Sequence, residues 1–85
     1  MAGFRLDFTQ KHGFDVLVPC PGVNAESHVA AGACELFIQN GQWVPDQGAA
    51  SIRIDNVVPR NGEVKVRGEI GWNDNIPVRV NIVVA

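Results

Sequence analysis

The chain has 85 residues, with seven Lys plus Arg against nine Asp plus Glu and a formal net charge of −2. That length suits one domain over residues 1–85, and the charge excludes a nucleic-acid module that works by neutralising phosphates. With 46% hydrophobic and 19% charged residues the chain is too apolar for disorder, yet no apolar run approaches the ~18 residues of a membrane helix.

Arg5 and Asp7 interrupt the first ten residues, so no secretory leader is expected. Thirteen Val and six Ile against a single Met form a vocabulary of branched side chains that pack well on a pleated surface. Nine Gly and five Pro, spread along the chain, supply the punctuation between short strands.

Phe4, Leu6 and Phe8 alternate with Arg5 and Asp7, and Phe14, Val16 and Val18 repeat the pattern after a polar stretch. These two runs read as a hairpin with Phe8 opposite Phe14. That register sets Asp7 against Asp15, a like-charge pair that argues for a register error. Residues 19–33 carry Cys20 between two prolines, then a segment in which Asn24 can cap a short helix over 24–31 closed by Gly32. A longer helix over 25–39 is the alternative, and it would make the fold α+β. Gly32 in its middle and the strand-like Leu36-Phe37-Ile38 both weigh against it.

Residues 34–46 read better as a hairpin. Asn40-Gly41 lies between two apolar runs, and a two-residue turn there pairs Gln39 with Gln42, Ile38 with Trp43 and Phe37 with Val44. Both faces are then apolar, so the hairpin is either buried on both sides or offers one to a partner. Residues 47–50 form a loop. In 51–58, Ile52 and Ile54 point inward and the parity slips near Asn56-Val57, the mark of a β-bulge. Pro59-Arg60-Asn61-Gly62 has the composition of a turn.

The two C-terminal runs alternate most cleanly. Val64, Val66, Gly68, Ile70 and Trp72 share one face, as do Ile76, Val78, Val80, Ile82 and Val84. A three-residue loop, Asn73-Asp74-Asn75, predicts a hairpin with Trp72 opposite Ile76, Ile70 opposite Val78 and Glu69 beside Arg79. Gly68 then leaves a gap that a large side chain of a facing sheet, Trp43 or a Phe, would fill. The whole reads as an all-β antiparallel sandwich or partly closed barrel of about seven strands.

Chemistry-bearing constellations are sparse. Cys20 and Cys34 can close a loop of about 15 residues or stay reduced in the interior. His12, Cys20, His28 and Cys34 have ligand chemistry without ligand spacing, and neither Asp7 with Asp15 nor the surroundings of Asp74 make a dense calcium loop. A thiol–imidazole pair needs a pocket that this small chain has little volume to enclose. The expectation is therefore a non-enzymatic module without metal or cofactor.

Apolar residues in excess of one two-layer core point to a binding surface. Phe37, Val44 and Val83 are its predicted interface residues, and self-association as a dimer or ring is the expected mode. Nucleic acid and membrane are not expected partners. The alternative is a small lectin-like domain in which Trp72, Asn73, Asp74 and Asn75 bind a carbohydrate or other ligand, the indole stacking on C–H faces and the polar side chains taking hydroxyls.

Overall fold

A computed structural model describes residues 2–85 and contains seven strands: β1 (Ala2–Gln10), β2 (His12–Pro19), β3 (Val29–Gln39), β4 (Gln42–Asp46), β5 (Ser51–Arg60), β6 (Glu63–Gly71) and β7 (Ile76–Val84). They form two antiparallel sheets, a four-stranded one in the order β1-β7-β3-β4 and a three-stranded one in the order β2-β6-β5. The expected all-β sandwich is thus the observed architecture, and it is not a closed barrel.

The alternating runs bury the faces their sequences predict. Val64, Val66 and Ile70 of β6 meet a core shared with Val78, Val80 and Ile82 of β7, and all six are at most 1% exposed. Phe14 and Val18 of β2 complete the three-stranded side, while Phe4, Leu6 and Phe8 of β1 pack on the core from the four-stranded side. Each β7 or β6 strand has neighbours on both edges, which is why these two hold the most thoroughly buried positions.

Pairing differs from expectation at both ends of the chain. β1 and β2 do not form a hairpin: β1 pairs with β7 and β2 with β6, so Phe8 lies beside Val78 and Phe14 beside Gly68. Asp7 therefore faces Arg79 and Asp15 faces Arg67, which removes the like-charge conflict. His12, at φ 60°, turns the chain from one sheet to the other. β6 and β7 are not a hairpin either. They belong to opposite sheets, so Trp72 does not pair with Ile76, nor Glu69 with Arg79. Residues 72–75 are long enough, at roughly 3.3 Å each, to cross the ~10 Å between sheets.

No helix forms over 24–31 or 25–39. The Asn24 side chain accepts a hydrogen bond from the Glu26 N–H at 2.8 Å, and the Ser27 hydroxyl oxygen accepts one from the Asn24 N–H at 3.0 Å. These bonds satisfy a tight turn locally instead of starting a helix. From Val29 the chain enters β3, where Val29, Ala31 and Ala33 face inward beside Val84, Ile82 and Val80 of β7.

Gly68 does mark a close approach, though not from the facing sheet. A Cβ there would overlap the Phe14 ring of the adjacent strand and the Arg53 carbonyl oxygen. Phe14 lies over the glycine and is 3% exposed, so the space expected for Trp43 is taken by a neighbour in the same sheet. The turn over 59–62 is shorter than its composition suggests: Pro59 and Arg60 belong to β5, and Asn61-Gly62 alone joins it to β6. The bulge is present, with the β5–β6 register shifting between Ile54 and Asn56.

Candidate functional site

The β3–β4 hairpin has the register its sequence predicts, with Gln39 opposite Gln42, Ile38 opposite Trp43 and Phe37 opposite Val44. Asn40 and Gly41 adopt φ values of 53° and 76°, as a two-residue turn of this type requires. β3 stays paired with β7 only as far as Glu35 beside Val78, so residues 36–43 run past the end of that pairing. β5 packs across the sandwich from β3, whereas β4 packs chiefly on β3 alone. The hairpin end therefore projects beyond the β3–β7 ladder.

Alternation divides its side chains between two faces. Phe37 and Val44 lie on the core side of the four-stranded sheet, and Phe37 remains 39% exposed. Ile38 and Trp43 lie on the outer side and are 63% and 45% exposed. Leu36, also on the outer side, is covered, with a hollow of about 80 Å3 between it, Thr9, Trp43 and Pro77. Of the three predicted interface residues, the structure brings Phe37 and Val44 together as cross-strand neighbours. It puts Val83 on the opposite face, flanked by Gly3 and Ala30.

The outer face between these points carries three charged side chains, the exposed Arg5 opposite Asn81 and the Asp7–Arg79 pair. Gly3, Ala30, Gly32 and Asn81 present small side chains there. Arg79 lies between Asp7 and Cys34, donating to the two Asp7 carboxylate oxygens at 2.8 and 3.1 Å. That bidentate bond holds the Asp7 carboxyl below its ordinary value and raises Arg79 further above its own. At 8% exposure Arg79 is the buried charge of the molecule among the described residues, and its partner neutralises it.

The edge of β4 is a poor template for strand addition. The two-residue turn makes Gln39 and Gln42 a hydrogen-bonded pair, and alternation then places Leu36 and Pro45 in a non-bonded pair. The N–H that Pro45 lacks would have pointed away from β3, so proline blunts the free edge without weakening the hairpin.

The predicted ligand turn is a crossover between sheets. Gly71, Trp72, Asn73 and Asp74 line a hollow of about 300 Å3 in which Trp72 is 41% exposed, and Asn75 is not part of that lining. The Trp72 N–H bonds the Ile70 carbonyl at 2.9 Å, fixing the start of the turn.

The groups with metal or nucleophile chemistry are dispersed. Among the described residues no three His, Cys, Asp or Glu side chains gather as a metal site. Cys20 and Cys34 are both free; Cys20 is fully buried and burial pushes its thiol pKa up. The Cys20 N–H bonds the Gly62 carbonyl at 2.9 Å, tying the 19–28 segment to the β5–β6 turn.

Sequence reasoning missed one cluster. On the outer face of the three-stranded sheet, Asp15, Asn56, Val58, Arg60, Lys65 and Arg67 surround a hollow of about 190 Å3. Its signal was the basic alternation of Lys65 and Arg67 together with the bulge, legible only once β2 and β5 are known to flank β6. Comparison of the chain with protein-family models, curated proteins and solved structures finds no match.

Proposed function

We propose that this chain is a non-enzymatic assembly module that associates with further copies of itself through the four-stranded sheet and its projecting hairpin. The observation that carries the reading is the apolar end of β3–β4, where Phe37, Ile38 and Trp43 stay 39%, 63% and 45% exposed beyond the end of the β3–β7 ladder. Half-exposed side chains of this size contribute on the order of 1 kcal/mol each when covered. The hairpin end alone is therefore too small for a stable pair once association entropy is met.

The outer face of the four-stranded sheet supplies the rest. Stacking two such faces lets Ile38, Trp43 and Val83 of each copy meet Gly3, Ala30 and Gly32, while the Asp7–Arg79 pair is self-neutralised and Arg5, at the far strand, is the one further cation of the face. Pro45 at the β4 edge favours this side-chain contact over strand addition. Phe37 and Val44, on the other side of the hairpin, provide the second contact that a ring needs and a closed dimer does not.

Light scattering after size-exclusion chromatography tests this with Trp43→Asp and Phe37→Asp, each first checked by circular dichroism to keep its strand content, with Ile38→Asp, the most exposed of the three sites, replacing Trp43→Asp should that variant unfold. A dimer loses its association in Trp43→Asp only, and a ring in either variant. A wild-type chain that elutes with monomer mass at millimolar loading refutes the proposal.

A second reading rests on Trp72, whose exposed indole borders a hollow shared with Asn73 and Asp74. Such a site suits a carbohydrate, with the ring on a C–H face and the side chains on hydroxyls. Glycan-array binding that disappears in Asp74→Ala supports it; an array without signal, or with signal unchanged by that variant, removes it.

A further inference from the structure

Charged side chains gather on the outer face of the three-stranded sheet: four of the seven Lys and Arg residues, Arg53, Arg60, Lys65 and Arg67, stand there with Asp15, Asp55, Glu63 and Glu69. Arg53 is occupied by Asp55 at 2.7 Å. The other three line one hollow with a single carboxylate, Asp15, which reaches Lys65 at 3.6 Å. Arg60 and Arg67 have no carboxylate within ion-pair distance among the described residues. Three cations and one acid line the hollow itself, with Glu63 beside Arg60 and Asp55 near Arg67 offsetting part of that excess at its edges.

The bulge in β5 builds the hollow. Before it, Ile52 and Ile54 point inward and Arg53 outward; after it, Asn56, Val58 and Arg60 point outward beside Arg67, Lys65 and Glu63. Were residue 55 to take a regular place in the ladder, alternation would turn Asn56, Val58 and Arg60 into the core and Val57 out of it. The bulge thus sends Val57 to the core and three residues to the rim of the hollow. Arg67 then stands between Asp15 and Asn56, and Lys65 between Leu17 and Val58.

We propose that this hollow binds a tetrahedral oxyanion, a phosphate or sulfate group. Arg67 and Arg60 supply guanidinium forks from its two ends, the Lys65 ammonium lies between them, and the Asn56 amide adds a neutral donor. Val58, with the exposed Leu17 next to Lys65, gives an organic ester an apolar surface to rest on. Asp15 opposes the anion, and its ion pair with Lys65 occupies that ammonium while the hollow is empty. The proposal stands apart from the self-association reading, since it uses the other sheet.

Titration of 15N-labelled protein with inorganic phosphate, inorganic sulfate and phenyl phosphate, at ionic strength held constant with chloride, tests it. Saturable amide shifts confined to residues around 15, 56–60 and 65–67 are expected, with affinity at least tenfold weaker in Arg67→Gln and in Arg60→Gln and severalfold tighter in Asp15→Asn. Equal saturation by phosphate and phenyl phosphate assigns the hollow to a free anion, and tighter phenyl phosphate assigns it to an ester. Shifts that never saturate, that chloride reproduces, or that both arginine variants retain overturn the proposal. Arg60→Gln decides alone should Arg67→Gln lose its native spectrum.

Discussion

Gly68 offers the sharpest test of how the three-stranded sheet is packed. Its backbone conformation is ordinary for a strand, so Gly68→Ala adds no φ strain. What it adds is a methyl group where the Phe14 ring and the Arg53 carbonyl already sit. The ring can tilt, but the carbonyl belongs to the β5–β6 ladder and can move only by distorting it. Overpacking of this kind costs about 1–3 kcal/mol, and the backbone overlap places Gly68→Ala at the upper end. For a chain of this length, about 2–3 kcal/mol lowers the thermal midpoint by roughly 8–24 °C. Gly32→Ala is the control. A Cβ at Gly32 meets nothing within 4 Å, and φ there is not positive, so replacement leaves stability unchanged or raises it by up to about 1 kcal/mol. Thermal and urea unfolding of both variants would measure the difference. In the Phe14→Leu background the cost of Gly68→Ala should shrink without vanishing, because the Arg53 carbonyl remains. Equal stability of Gly68→Ala and Gly32→Ala would refute the packing of Phe14 over Gly68.

Three further outcomes follow from particular contacts. Asp7→Asn should cost about 1–2 kcal/mol at neutral pH, since it leaves the buried Arg79 with a weakened partner. Because the Arg79 bond lowers the folded-state pKa of Asp7, its stabilisation is complete above the unfolded value of about 4. It fades as pH falls through the folded value, and urea midpoints of Asp7→Asn should lack that part of the acid slope. Cys34 should alkylate in the native protein, while Cys20, fully buried with a raised pKa, reacts on the order of hundredfold or more slowly until denaturant opens the core; mass spectrometry of iodoacetamide time courses reads both. Gly41→Ala should destabilise by about 1 kcal/mol through backbone strain alone, because φ is 76° and the space around it is open. A thermal midpoint equal to wild type would contradict the turn geometry.

The contrast between the correctly and wrongly placed strands has a physical cause. Side-chain alternation states which face of a strand is buried, and it did so for Phe4 to Phe8, Phe14 to Val18, Val64 to Ile70 and Ile76 to Val84. It does not state which strand lies alongside. The two C-terminal runs have facing apolar sides, which fits neighbours in one sheet and opposite partners across a core equally well; the structure has the second arrangement. Local turn chemistry resolved this ambiguity at Asn40-Gly41, where the turn itself fixes the register. Asn61-Gly62 carries the same dipeptide and also closes a two-residue hairpin, but Pro59 next to it suggested a longer turn. The Asp7–Asp15 conflict was a legible warning that β1 and β2 are not neighbours, and each acid meets an arginine instead.

The candidate surfaces follow the same division. Phe37 and Val44 were identifiable because their relation is local to one hairpin. Val83 lies on the other face because alternation with the inward Ile82 and Val84 turns it outward, and its neighbours there, Gly3 and Ala30, come from strands far away in sequence. The oxyanion hollow needs three strands and a bulge to assemble, so its residues carried no joint signal along the chain.

Sedimentation equilibrium of the unmodified chain, from micromolar to millimolar concentration, tests the assembly reading most directly. A weight-average mass rising from that of one 9.2 kDa chain to a fixed integer multiple of it is the predicted result. A mass that stays at one chain across the whole range, with the hairpin folded, would contradict it.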